Sequence, residues 1–185
     1  MSRKSPWLTL ACSLLALPLS ASTFVAIGAD ELIGRSDLVV QGRVVGLESF
    51  WDESGTLIVT EATIEVSDRV LGSSPSRITV RTAGGAVGSL RVEALGFPQL
   101  GRNEDVVLFL ERDASSHRIV GYQQGHYRVV VRDDGVVLAV PMVEQGTRLM
   151  TAAGTLLPEP AALPLDELKS RIRQRAAALG RGLAR

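Results

Sequence analysis

Two histidines, two pairs of adjacent carboxylates and a cluster of glycines are the groups in this chain whose chemistry is worth testing first. His117 and His126 flank Q-Q-G at residues 123–125, which reads as a hairpin turn. On such a hairpin they stand five strand positions apart, ~16 Å at the usual rise, too far to share a metal ion. The sequence has no H-E-x-x-H and no cysteine cluster, so a zinc site is not expected. Asp52 with Glu53 and Asp133 with Asp134 sit in turn-like contexts, where aspartate is favoured for its side-chain bonds to nearby backbone. Calcium at Asp133 and Asp134 would need more oxygen ligands than that stretch supplies. Gly84, Gly85 and Gly88 loosely resemble a phosphate loop, but no helix follows them and the spacing fits neither nucleotide fingerprint. Ser73 and Ser89 lack a G-x-S-x-G elbow or an S-x-x-K partner. No cofactor is expected, and an enzyme is the less favoured class.

The aromatic side chains offer recognition rather than reaction. Phe50, Trp51, Phe97, Tyr122 and Tyr127 suit either a stacking platform or plugs for the core and the ends of a barrel, and the second use is the commoner. Residues 83–104 hold five glycines and Pro98, a density that signals positive-φ turns or close backbone approach. One short strand is expected there, near residues 90–92. Long connections in compact domains tend to be functional or mobile. Val87, Leu90, Val92, Leu95, Phe97 and Leu100 on this excursion read either as a lid over a barrel end or as an apolar surface rimmed by Arg91, Glu93 and Arg102. The candidate binding residues are Phe97, Leu95, Leu100, Arg91, Trp51 and Tyr122.

The elements that must position these groups are mostly strands. Residues 37–70 alternate polar and apolar side chains over two long runs around a turn, the pattern of half-buried antiparallel strands. Leu38, Val40 and Val44 share one face with Gly42 and Gly46. In the second run Ile58, Ala62, Ile64, Val66 and Val70 are expected to face inward together. Residues 77–82 alternate again, and D-V-V-L-F-L-E-R at 105–112 is apolar on both faces, as a central strand would be. Further strands are expected at 117–122, 126–132 and 136–140, with D-D-G at 133–135 as a hairpin turn. Residues 29–35 read as a short helical turn. Residues 165–179 form the one convincing helix, with a narrow stripe of Leu165, Leu168, Ile172, Ala176 and Leu179 that suggests a helix on the barrel surface or partly detached.

Charge is balanced, with 20 basic and 20 acidic residues, so the electrostatic footprint of a nucleic-acid binder is missing. Arg3 and Lys4 precede an apolar run over residues 7–19, then Pro18, Ser20, Ala21 and Ser22. This is the layout of a secretory signal peptide cut after Ala21 or a few residues later. At ~13 residues the run falls short of the ~20 needed to cross a bilayer, so no membrane span is expected in the mature chain. The single cysteine, Cys12, lies inside this segment, so the mature chain has no disulfide although it enters an oxidising compartment.

S-D-L-V-V-Q-G-R-V, I-T-V-R with A-G-G, E-D-V-V-L-F-L and I-V-G-Y-Q-Q-G-H-Y-R-V together resemble a group of small exported bacterial proteins without an assigned activity. The layout is also similar to the netrin/TIMP-type OB-like barrel. TIMP-type inhibition relies on an amino-terminal cysteine and several disulfides, which this chain lacks, so no functional residue carries over. The expected fold is mainly β, an antiparallel OB-like β-barrel with a C-terminal α-helix. Residues 1–26 are assigned to the signal peptide, 27–141 to the barrel, 142–163 to a linker and 164–181 to the helix. The expected function is a non-catalytic binding or accessory module, periplasmic or extracellular, with an unknown protein partner and no nucleic acid. The alternatives are a hydrolase whose site is assembled from distant residues, or a protease-associated inhibitor or companion protein. Mass spectrometry of the exported product should find residues 1 to about 21 missing; an intact amino terminus, or a lipid on Cys12, contradicts the export reading.

Overall fold

The computed structural model describes residues 23–144 and 147–181; the expected signal peptide up to Ser22, with Cys12, lies outside them. The chain is mainly β, with a C-terminal helix and one large, mostly antiparallel sheet. In chain order the elements are β1 (Thr23–Val25), α1 (Ala29–Arg35), β2 (Leu38–Trp51), β3 (Ile58–Leu71), β4 (Arg77–Ala83), β5 (Gly85–Val87) and β6 (Leu90–Val92). They continue with β7 (Asp105–Asp113), β8 (Ser116–Ile119), β9 (His126–Val131), β10 (Val137–Pro141), β11 (Arg148–Met150), β12 (Leu163–Pro164) and α2 (Leu165–Ala178). The main sheet runs β12-β10-β9-β7-β2-β3-β4-β8, and β8 also pairs with β7.

β2 and β3 pair along almost their whole length, as their alternation requires. Gly42 has no room for a side chain: a Cβ there would lie 2.6 Å from the Glu65 carbonyl oxygen. The pairing shifts register three times, between Val39 and Val40, Gln41 and Gly42, and Val44 and Gly46. These bulges overturn one expectation. Val70 does not share a face with Ala62, Ile64 and Val66; it joins Val39 and Leu71 on the opposite side. Each extra residue in a bulge redirects the side chains beyond it.

Two apolar clusters result, one on each side of β7. Leu38, Val40, Val44, Ala62, Ile64 and Leu108 belong to the first, enclosed by β2, β3, β4, β7 and β8. Val39, Leu71, Val107, Phe109, Leu168 and Ile172 belong to the second, roofed by α1 and α2. α2 is therefore docked rather than detached. Its stripe of Leu165, Leu168, Ile172 and Ala176 is buried, and Asp68 on β3 accepts from Lys169 at 2.9 Å and Arg173 at 3.1 Å. Burial pushes the Asp68 carboxyl up, but the two cations outweigh it and hold it below its ordinary value. The narrow stripe suffices because the sheet beneath contributes both flanks of the contact.

The Q-Q-G hairpin is corrected by the pairing of its neighbours. β8 pairs with β7 at Leu110 to Asp113, and β9 pairs with β7 at Val106 to Leu108. They are successive halves of one edge, with residues 121–125 looped out between them as a left-handed Gly121 and a 3-10 turn over Tyr122–Gly125. While still paired with β7, β8 also meets β4 in parallel at Val80 and His117, and β9 continues to β10 through the expected D-D-G turn. Residues 142–163 are not a bare linker, since β11 pairs in parallel with β1 and β12 pairs with β10. Periodicity could not reveal strands of two or three residues. Thr23–Val25, within the residues 1–26 expected to precede the barrel, form β1 and pair with β11. Replacing Ile172 by Ala should lower the unfolding free energy by about 2–5 kcal/mol in a denaturant titration; a loss below about 1 kcal/mol would mean that α2 is not part of the core.

Candidate functional site

The excursion expected to hold one strand holds two, β5 and β6, paired through Gly85 with Val92, Ala86 with Arg91 and Val87 with Leu90. What seats this small hairpin is a pair of hydroxyls on the main sheet. Ser49 of β2 and Thr60 of β3 lie 2.8 Å apart, and Thr60 donates to the Gly84 carbonyl at 2.7 Å. Gly85, at φ 137°, packs so close that a Cβ would stand 2.3 Å from the Thr60 hydroxyl and 2.4 Å from that of Ser49. Only glycine permits both the conformation and the approach.

The chain then returns across the sheet end. Thr82 donates to the Pro98 carbonyl at 2.9 Å, and Leu100 enters the first core cluster. Between this anchored return and β6 lies a groove of about 240 Å³, with Leu47, Ser49, Thr60 and Thr82 beneath and Arg91, Val92, Pro98 and Leu100 on its walls. Among the described residues, β6 pairs with β5 alone, so its outer edge is open. Leu90 is 46% exposed, Val92 39% and Leu95 74%.

The six candidate residues are thus dispersed over several environments. Leu100 is a core residue and Arg91 lines the groove. Leu95 is the most exposed apolar side chain of the excursion, and Trp51 is exposed at the end of β2. Phe97 is half-buried and meets Tyr122 edge-on, with ring centroids 4.9 Å apart at 89°. These two rings flank a second hollow, of about 280 Å³, with Arg35, Arg81, Arg118 and Glu111. The excursion is thus divided: Leu100 is core, and Leu90, Val92 and Leu95 are surface.

The acid pairs serve turns. Asp52 accepts from the Leu57 amide at 2.9 Å, the Thr56 amide at 3.0 Å and the Ser54 hydroxyl at 2.7 Å, and the Leu57 amide and Ser54 hydroxyl hold its carboxyl below its ordinary value. Asp134 is lowered by Arg132 and by the Val136 amide within the β9–β10 turn. His117 and His126 sit opposite Arg112 and Leu108 on β7, and the His117 Nδ1 lies 3.2 Å from the Thr79 carbonyl oxygen. Among the described residues, no group of three or more His, Cys, Asp or Glu is placed to hold a metal ion.

His126 is the group that sequence reasoning missed, because a polar residue at the start of a strand beside a turn gives no sign of burial. It is 1% exposed, and its Nε2 has no hydrogen-bond partner among the described residues. Burial lowers its pKa to about 4; Glu104 opposes that shift and Arg128 adds to it. Folded His126 therefore stays neutral where the unfolded side chain takes a proton. Its contribution is fully present above the unfolded value of 6.5 and is lost as pH falls from 6.5 towards about 4. Over that window the unfolding free energy should fall by about 3 kcal/mol more in the wild-type protein than in His126→Leu; identical pH profiles would contradict it.

No family model, curated protein or solved structure matches the chain.

Proposed function

We propose that this chain is an exported, non-catalytic binding module on an OB-like barrel, and that it takes an extended segment of a protein partner along the open edge of β6. The barrel reading is supported by a ring of pairings. β7 pairs with β2, β2 with β3, β3 with β4, β4 with β8 and β8 back to β7, with β4 and β8 parallel. Export rests on the basic, apolar and small-residue succession before Thr23.

The observation that carries the binding mode is the unpaired edge of β6 above a groove. A free edge presents a row of backbone donors and acceptors that another extended chain can satisfy, with alternate side chains supplying specificity. Here Leu90 and Val92 alternate with Arg91 along that edge, and Leu95 stands just beyond it. The hydroxyls of Ser49 and Thr60 beneath the groove are already bonded to each other and to Gly84. Beside the charged Arg91 and Glu93, the groove offers backbone groups and apolar side chains, which suit recognition.

A display library of extended peptides should yield binders that shift the amide resonances of Leu90–Val92. The double variant Leu90→Lys with Val92→Lys should abolish their binding while moving stability by no more than about 1 kcal/mol, as exposed positions allow. Peptides that bind this variant unchanged would overturn the strand-addition reading.

A further inference from the structure

A further cavity lies on the side of β7 that carries α1 and α2. It measures about 570 Å³ and is walled by Ile33 of α1, Phe109 of β7, Tyr127 of β9, Leu149 of β11 and Ile172 of α2. Its roof is the segment at 157–162, L-P-E-P-A-A, of which Leu157, Pro158, Pro160, Ala161 and Ala162 face the space. Alanine and proline side chains are too short to fill the space beneath, and proline has no N–H to tie it down to the sheet. The volume falls within the ~300–1,000 Å³ typical of small-molecule pockets.

The polar groups are few and unevenly placed. Gln124 is fully engaged, accepting from the Ile27 amide at 2.9 Å and donating to the Val25 carbonyl at 3.1 Å, which fixes the wall leading into α1. Tyr127 makes no side-chain hydrogen bond among the described residues, although most of its ring is covered. Arg171 and Arg175 stand on the cavity's α2 side with exposed guanidinium groups. Arg171 pairs with Glu167, and Arg175 with Asp30 at 3.1 Å. Exposed pairs of this kind contribute only ~0–1 kcal/mol each, so a ligand anion can take a carboxylate's place at little cost.

We propose that this cavity binds a single-chain anionic amphiphile, a long-chain carboxylate whose alkyl tail lies between α2 and the sheet and whose head meets Arg171, Arg175 and the Tyr127 hydroxyl. A mostly apolar space with Arg171 and Arg175 among its lining residues matches that ligand in size and charge. A second protein chain fits less well, because the space is recessed among five elements rather than spread over a flat face. The proposal is independent of the β6 edge, since none of Leu90–Val92 lines this cavity and the edge need not be occupied for it to fill.

Titration calorimetry of the full chain with hexadecanoate, below its aggregation threshold, is the test. The expected result is one-to-one binding with a micromolar Kd and a higher melting temperature in the presence of ligand. Hexadecanol should bind at least about tenfold more weakly, and Arg171→Glu with Arg175→Glu should weaken hexadecanoate by a similar factor. Ala162→Trp, placed in the exposed roof, should fill the cavity and remove binding without lowering the unliganded melt; Ala161→Trp provides a second filling variant if the first misfolds. Absent binding, equal binding of acid and alcohol, unchanged binding to the filled variants, or dimerisation that excludes hexadecanoate would each overturn the proposal.

Discussion

Every other part of the molecule depends on β7 being buried on both faces. Its side chains alternate between the two apolar clusters, Val106, Leu108 and Leu110 into one and Val107 and Phe109 into the other. One of its edges is taken by β2, and the other is divided between β8 and β9. Side-chain direction has a period of two along a strand, so slipping β7 by one residue would exchange the two sets and ruin both clusters at once. That double commitment fixes the register of its neighbours more firmly than surface ion pairs do. Arg43 with Asp105 at 2.6 Å, Arg77 with Glu65 at 3.2 Å and Arg118 with Glu111 at 2.9 Å are exposed cross-strand pairs, each worth little. They match opposite charges across strands whose register the core has already set.

The divided edge of β7 is also what gives the molecule two distinct sides. Had β8 and β9 formed one unbroken strand, the sheet could not both curl back to β4 and extend to β10. The looped-out residues 121–125 release it, with Gly121 and Tyr122 at positive φ and Gly125 packed too tightly for a side chain, a Cβ there standing 2.3 Å from the Val120 carbonyl oxygen. From that break, one part of the sheet encloses the first cluster and carries the β5–β6 hairpin. The other forms the floor on which α1 and α2 rest.

Legibility in the sequence follows the length over which a residue pattern persists. β2, β3 and β7 were readable because alternation or double-sided burial runs for six residues or more, and α2 because its stripe repeats over four turns. β1, β11 and β12 have two or three residues each and carry no period. The role of Val70 was hidden because a bulge leaves no mark in an alternating sequence. His126 read as a polar residue beside a turn, whereas the adjacent Leu108 and the loop-out bury it. Of the candidate site, the glycines of the excursion were a sound signal for close approach. The open edge of β6 and the cavity below α2 were not legible, since both arise from what is left unpaired or unfilled after the fold has formed.

If β7 joins the two clusters as a shared wall, they must open together. Native-state hydrogen exchange along a denaturant series tests this most directly. The amides of Val106 to Leu110 and those in the middle of α2 should converge on the same opening free energy, with β6 exchanging through a much smaller one. Exchange from α2 at an opening free energy several kcal/mol below that of β7, with no convergence as denaturant rises, would show two separable units and contradict the account.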